Sequence, residues 1–323
     1  MTKYIALLCF FFQSLFAFGQ TVNDTTSISS TISTSEKDSV ITIIRKLVTE
    51  NYVMSDKANL IANSLIAEKY SQINTRIEFL EKLNSDLSGL TNDKHLFVQY
   101  KPKVSMDLSE GVDIHAEQNQ KEESENYGFE KPQILAGNNG YLKLNYFAEA
   151  ANAKKIVEQS VAYLLPADAI IIDLRGNLGG SGSMVQLLSA FFLPDSITDL
   201  LSISYKDGRN IKLKADSVDT SKKYVNKPVY ILTNHQTFSA AEAFAFILQN
   251  RQRAIVVGEI TAGAGNIAGP YAINQDFIIN IPVGIIVDPI TKQGWEQNGV
   301  VPDIMTNSDE ALKVTLEVIE KGK

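Results

Sequence analysis

The sequence contains one cysteine, one tryptophan and three histidines in 323 residues, and each scarcity excludes something. The cysteine, Cys9, lies inside an apolar N-terminal run, so the chain beyond it has no disulfide, no thiol nucleophile and no cysteine metal site. A lipid-attachment cysteine would follow a small residue near the end of such a run, whereas Cys9 follows Leu8 near its start. Basic runs are missing too. Thirty Lys and Arg stand against 37 Asp and Glu, a formal net charge of −7, and no segment interleaves basic with aromatic side chains. No nucleic-acid partner is expected from such a surface. Past the N-terminus no stretch approaches the ~18 consecutive apolar residues of a membrane span. The three histidines, His95, His115 and His235, are the few carriers of acid–base chemistry near neutral pH.

The N-terminus has the layout of an export signal: Lys3, an apolar stretch over 5–18, then the small-x-small triplet Ala17-Phe18-Gly19. Cleavage is expected before Gln20, with residues 1–19 removed and the mature protein in a periplasm or outside the cell. Residues 20–38 are rich in Ser and Thr and read as a flexible leader. Three amphipathic helices follow. Val40, Ile43, Ile44, Leu47 and Val48 recur at helical spacing and predict a helix over 39–52. A second is expected over 56–70 with Ser55 as its cap, and a third over 75–88, opened by a Thr75-x-x-Glu78 capping box and stopped at Gly89. Short connections make 39–93 a small antiparallel bundle. Residues 94–137 comprise a strand at 96–100 and a connecting segment whose acidic stretch, 117–125, reads as an exposed loop. From 138 to 323, strands expected at 140–146, 169–174, 229–233, 254–257 and 277–287 alternate with helices at 148–165, 184–192 and 240–249. Continuous apolar runs such as AIIIDL suit strands covered on both faces, which makes this an α/β domain.

The most informative stretch is Thr237-Phe238-Ser239-Ala240-Ala241-Glu242, between the strand VYILT and an apolar helix. A serine there can present its hydroxyl at a helix N-terminus that favours developing negative charge. Ser239 and Glu242 also make a good capping box, and both readings stand. Asp173-Leu174-Arg175-Gly176-Asn177-Leu178-Gly179-Gly180 leaves a buried strand and enters a helix. It suits an oxyanion hole, a phosphate loop of unusual spacing, or a tight turn braced by Asp173 and Arg175. Residues 258–266 form a second Gly-rich loop. His235, four residues before Ser239, is one candidate base and His95 another, while His115 reads as solvated surface. Glu296, in a loop after a long apolar strand, is either solvated or placed to orient a histidine.

The order of these pieces (GYLKLNYF, IIIDLRGNLGG, TFSAAEAFA, VVGEITAGAGN, GVVPDI) resembles the C-terminal processing, or tail-specific, serine peptidase family over about residues 138–306. The resemblance implies a Clp-protease/crotonase-like α/β core behind a small N-terminal helical bundle, with Ser239 as nucleophile and oxyanion donors from the Gly179-Gly180 turn and Ala240. It implies no cofactor and no metal. Members with a Ser/Lys dyad carry a lysine about where Ala264 stands, and this loop has none. The chain is instead similar to the branch of tricorn-type proteases and interphotoreceptor retinoid-binding protein modules, where a histidine ending the helical domain is the base and a late glutamate supports it. Those positions match His95 and Glu296. The tricorn-type serine beside the histidine is replaced by Lys94, and 101–137 is too short for a PDZ domain with its connections. The catalytic set implied is Ser239, His95 and Glu296, acting on an extended peptide or unfolded protein tail. The alternative is a binding protein for apolar ligands or peptides on the same scaffold; a crotonase-like acyl-thioester enzyme is a weaker third.

Overall fold

The structure, a computed structural model, describes residues 31–100 and 120–322. The expected export signal and His115 lie outside the described residues. Helices α1 (Thr34–Asn51), α2 (Ser55–Ser64) and α3 (Arg76–Thr91) form the N-terminal layer. Their apolar stripes do not close on one another alone. Val40, Ile44, Tyr52, Ile61, Phe79 and Leu83 share one core with Val98 of strand β1 (Phe97–Tyr100) and with Phe277, Ile279 and Ile281 of β10 (Phe277–Val287). The alternation along β10 gives the helical layer a sheet face to cover.

That sheet is antiparallel, in the order β1-β10-β5-β6, where β5 is Asp199–Tyr205 and β6 is Asn210–Lys214. β1 pairs with the first half of β10 and β5 with its second half, while β9 (Asn266–Ala272) lies along the other edge. A second sheet runs β11-β8-β7-β4-β3-β2. Its members β3 (Asn139–Lys143), β4 (Ala169–Asp173), β7 (Val229–Thr233), β8 (Ile255–Gly258) and β11 (Ile304–Met305) are parallel, and β2 (Gln133–Leu135) closes one edge antiparallel. β4 and β7 are buried at every position, as continuous apolar runs require. Ile170 and Ile172 face α4 (Ala150–Leu164), α5 (Gly182–Phe192) and α6 (Ala240–Asn250), whereas Ala169 and Ile171 face α7 (Ala311–Lys321). Both the turn bearing Ser239 and the first Gly-rich turn leave the C-terminal ends of central parallel strands, where open α/β sheets place their ligands.

Several expectations are corrected. The leader ends earlier than residue 38: Ser33 caps α1 by accepting the Glu36 amide at 3.1 Å, and Ile32 is buried. The second helix stops at Ser64, and a separate 3-10 turn, Ala67–Tyr70, follows. Lys37 explains the break, since its buried ammonium donates to the carbonyls of Tyr70 and Ile73 at 2.9 and 2.8 Å and holds that turn away from the helix path. The third helix passes through Gly89 and ends on Asn92, whose φ of 50° supplies the left-handed cap. Within the acidic stretch, residues 120–124 are helical and Glu122 is buried. Strands β2, β5, β6, β9 and β11 were not expected.

Because the helices and the antiparallel sheet share one core, they should unfold together. Ile279→Ala is expected to cost about 2–5 kcal/mol in urea unfolding and to lower amide-exchange protection in α1 and α3 as well as in β10.

Candidate active site

Ser239 sits at the start of α6 with φ 52° and ψ −116°, a conformation costly for a residue with a Cβ. Glu242 holds it there: its carboxylate accepts the Ser239 amide at 2.8 Å, completing the expected capping box. The cap is only part of what Glu242 does. It is wholly buried and also accepts from the Thr261 hydroxyl at 2.5 Å and the Gly263 and Ala264 amides at 2.6 and 2.9 Å. One carboxylate therefore joins the Ser239 turn to the second Gly-rich loop. Burial pushes its pKa up, against the pull of those four donors.

His95 Nε2 stands 3.3 Å from Ser239 Oγ, and the imidazole lies edge-on to Phe238 with ring centroids 4.9 Å apart. The loop bearing His95 comes from the helical layer and is fastened to the core at several points. Asn280 donates to the His95 carbonyl at 2.8 Å, Gln297 to the Thr91 carbonyl at 3.3 Å, and Lys94 to the Ala262 carbonyl. His235, the other candidate base, is turned away: its Nδ1 meets Glu259 at 3.0 Å on the exposed surface and holds that carboxyl down to about 2. Burial depresses the His95 pKa to about 4, so the ring is neutral and able to accept a proton at ordinary pH.

Behind His95 stand two carboxylates. One ring nitrogen of His95 and one oxygen from each of Asp93 and Glu296 lie within 4.8 Å of one another. Glu296 is not a solvated loop carboxylate. Its Oε2 accepts the Gly265 and Asn266 amides at 2.7 and 3.0 Å, and burial, followed by the nearby Asp93 charge, pushes its pKa up to about 7. Gly265 is required for this contact, since a Cβ there would meet the Glu296 nitrogen at 2.6 Å. The expected hydrogen bond from His95 to Glu296 is not formed: His95 Nδ1 and Glu296 Oε1 are both buried and both without a partner. Asp93, which sequence reasoning missed, accepts the His95 amide at 3.0 Å through Oδ1, and Tyr52 Oη and Asn266 Nδ2 at 3.0 and 3.2 Å through Oδ2. Both Asp93 oxygens are thus committed to internal donors, while Glu296 keeps one buried oxygen, Oε1, without a partner.

The first Gly-rich turn abuts Ser239. A Cβ on Gly179, φ 91°, would meet the Phe238 carbonyl at 2.8 Å and the Ala240 nitrogen at 2.9 Å. The three expected donors are not equivalent. The Gly179 amide donates to Asn177 Oδ1 at 2.8 Å. The Gly180 and Ala240 amides make no hydrogen bond among the described residues. Asn177, also missed, is buried; its Nδ2 donates to the Leu144 carbonyl at 2.6 Å and its own carbonyl accepts the Phe238 amide at 2.9 Å. The Asp173–Arg175 brace forms as expected, with Nε to Oδ1 at 2.9 Å, and the Tyr141 hydroxyl adds a further contact to Asp173 at 2.7 Å. Turn and oxyanion readings are thus compatible: the brace sits beneath the turn that presents the amides.

Comparison with known proteins agrees with this layout. Residues 138–306 match the model of peptidase family S41, and residues 25–128 match that of the N-terminal domain of S41 peptidases in eukaryotic IRBP. A carboxyl-terminal-processing protease of Synechocystis is 31% identical over 166 residues, 51% of this chain and 37% of that protein. The chain spans roughly a third of the length of the curated relatives it matches. Among solved structures, the photosystem II D1 C-terminal processing protease superposes with a TM-score of 0.55 at 16% identity, over 84% of this chain and 94% of that one. The tricorn protease superposes with a TM-score of 0.55 at 12% identity, over 89% of this chain and 37% of that one. With the family model covering more than half of its residues, the chain belongs to peptidase family S41.

Proposed function

We propose that the protein is an exported serine endopeptidase cutting extended peptides or unfolded protein tails. The observation that carries the proposal is the approach of His95 Nε2 to Ser239 Oγ, 3.3 Å, across the junction of helical layer and core. His95 takes the Ser239 proton as the hydroxyl attacks the scissile carbonyl, then delivers it to the departing amine. Gly180 and Ala240 are the donors for the oxyanion, helped by the N-terminus of α6. The strained backbone at Ser239 favours this role, since a cap alone needs no positive φ. Glu296 orients the imidazole: with Nε2 accepting from Ser239, Nδ1 carries the proton, and Glu296 Oε1 is a buried acceptor without a partner in the same cluster. Small closure on substrate binding would join them, as apo sites often tighten in the Michaelis complex. The processing-protease names of the relatives support tails as substrates, and the Lys3-to-Gly19 pattern supports export. Among the described residues no helix is long and apolar enough to cross a membrane.

Cleavage of a peptide library by the purified chain, read by mass spectrometry, tests the proposal. Ser239→Ala and His95→Ala should each lower kcat/KM by roughly a thousandfold or more, with His235→Ala near wild type. A folded wild type that cuts nothing would shift the assignment to a ligand-binding protein on this scaffold.

The pH profile follows from the charges. Glu296 must be ionised to accept the Nδ1 proton, and its pKa is raised to about 7, whereas His95 is already neutral above about 4. kcat/KM should therefore rise as pH passes through about 7. An acid limb set instead near 4 would remove Glu296 from the mechanism.

A further inference from the structure

Asp93 has no part in the serine–histidine–glutamate scheme, yet it is the most heavily tied group beside the base. It lies in the loop between α3 and β1 and is 2% exposed. Its three hydrogen bonds come from three places: the His95 amide two residues on, Tyr52 Oη at the end of α1, and Asn266 Nδ2 at the start of β9. Tyr52 belongs to the helical layer and Asn266 to the strand next to Glu296's own anchor, so the carboxylate bridges the elements that bring base and nucleophile together. Its oxygen also lies within 4.8 Å of Glu296 and of the His95 ring. Lys57 acts on Glu296 at longer range, and its ammonium donates to the Thr91 carbonyl at 2.6 Å.

We propose that Asp93 is a positioning residue for the base: it tethers the His95 backbone to both layers, and its charge beside Glu296 decides which tautomer of His95 faces Ser239. The inference rests on the peptidase reading of this site. When Glu296 is a carboxylate, it draws the imidazole proton to Nδ1 and leaves Nε2 free to accept from Ser239. When Glu296 holds a proton at Oε1, that O–H can donate a hydrogen bond to Nδ1 while the proton stays on Oε1; the single imidazole hydrogen then sits on Nε2, and Nε2 can no longer act as base. The change between the forms takes up one proton from solvent at Glu296 and moves the ring hydrogen from one nitrogen to the other. A second carboxylate nearby makes ionisation of the first harder, so Asp93 sets the pH at which the base becomes competent. The groups facing Glu296 are Asp93 and His95 from the base loop, Tyr52 from α1, Lys57 from α2, and the amides of Gly265 and Asn266.

Two substitutions separate tether from charge. Asp93→Asn removes the charge; Tyr52→Phe keeps it and removes one tether. In Asp93→Asn the acid limb of kcat/KM should move down by about one pH unit or more, whereas Tyr52→Phe should lower kcat with the limb unmoved. Carbon-detected NMR of the Ser239→Ala protein gives a reading that does not depend on activity. The Glu296 carboxyl carbon should titrate near neutral pH, the Asp93 carboxyl carbon should sense the same midpoint, and His95 Nε2 should change from acceptor to protonated nitrogen as pH falls through it. If wild type cleaves nothing, the peptidase reading fails, and the NMR titration still decides the coupling. An Asp93 signal blind to the Glu296 titration, which needs no substitution at Asp93, overturns the proposal; so does an acid limb unmoved in a folded, active Asp93→Asn.

Discussion

The burial of Glu242 is the constraint on which the rest of the site depends. A carboxylate removed from water must be surrounded by donors or it will not stay ionised. Here the donors are the Ser239 amide, the Thr261 hydroxyl and the amides of Gly263 and Ala264. Satisfying one charge therefore fixes two loops at once. The Ser239 amide must point inward to reach Glu242, which accompanies the positive φ of the serine and turns its hydroxyl toward His95. The loop drawn in by Gly263 and Ala264 continues into Gly265 and Asn266, whose amides hold Glu296. Ser239 and Glu296 are thus positioned through a single buried group, Glu242.

How much of this could be read beforehand follows burial. AIIID and VYILT identified central strands because a run covered on both faces has no polar alternation to confuse it. Phe277–Val287 was found at its true bounds because its long apolar run stands out from the polar segments on either side. The five strands that escaped notice are short, edge-lying or mixed. Asn210–Lys214, NIKLK, is exposed along nearly its whole length and has no core face to advertise. Sheet membership was less legible still: nothing in the β10 residues says that they pair with β1 and β5 rather than with the parallel strands, since pairing is a property of the partner.

The site divides in the same way. Ser239, His95 and Glu296 are singled out in the sequence through the order of motifs, not their own chemistry, because a buried carboxylate and a solvated one are the same letter. His235 was a natural competitor by sequence distance and lost because its loop points outward to Glu259. Glu242 did carry a signal that went unused. In AAEAFAFILQN it is the only ionised residue of a helix that is apolar all round, and such a helix is buried on every side. An acid there has no route to water and must find internal donors. Asp93 carried no such mark, since its partners Tyr52 and Asn266 lie 41 and 173 residues away.

The charges behind the base also bear on stability, and their signs differ. Glu296 has a folded pKa raised from 4.5 to about 7, so the folded state holds a proton that the unfolded chain has released, and its contribution falls as pH rises through that window. His95 has a folded pKa lowered from 6.5 to about 4, so the unfolded chain binds the extra proton, and its contribution falls as pH drops from 6.5 toward 4. Between 4.5 and 6.5 the two slopes oppose: folding moves a proton from histidine to glutamate and leaves the total unchanged. Above 6.5 only the glutamate slope remains. The ionised form of Glu296 is therefore the form the fold tolerates least. Functional sites commonly hold such strain. Here it arises from burying two carboxylates behind one imidazole.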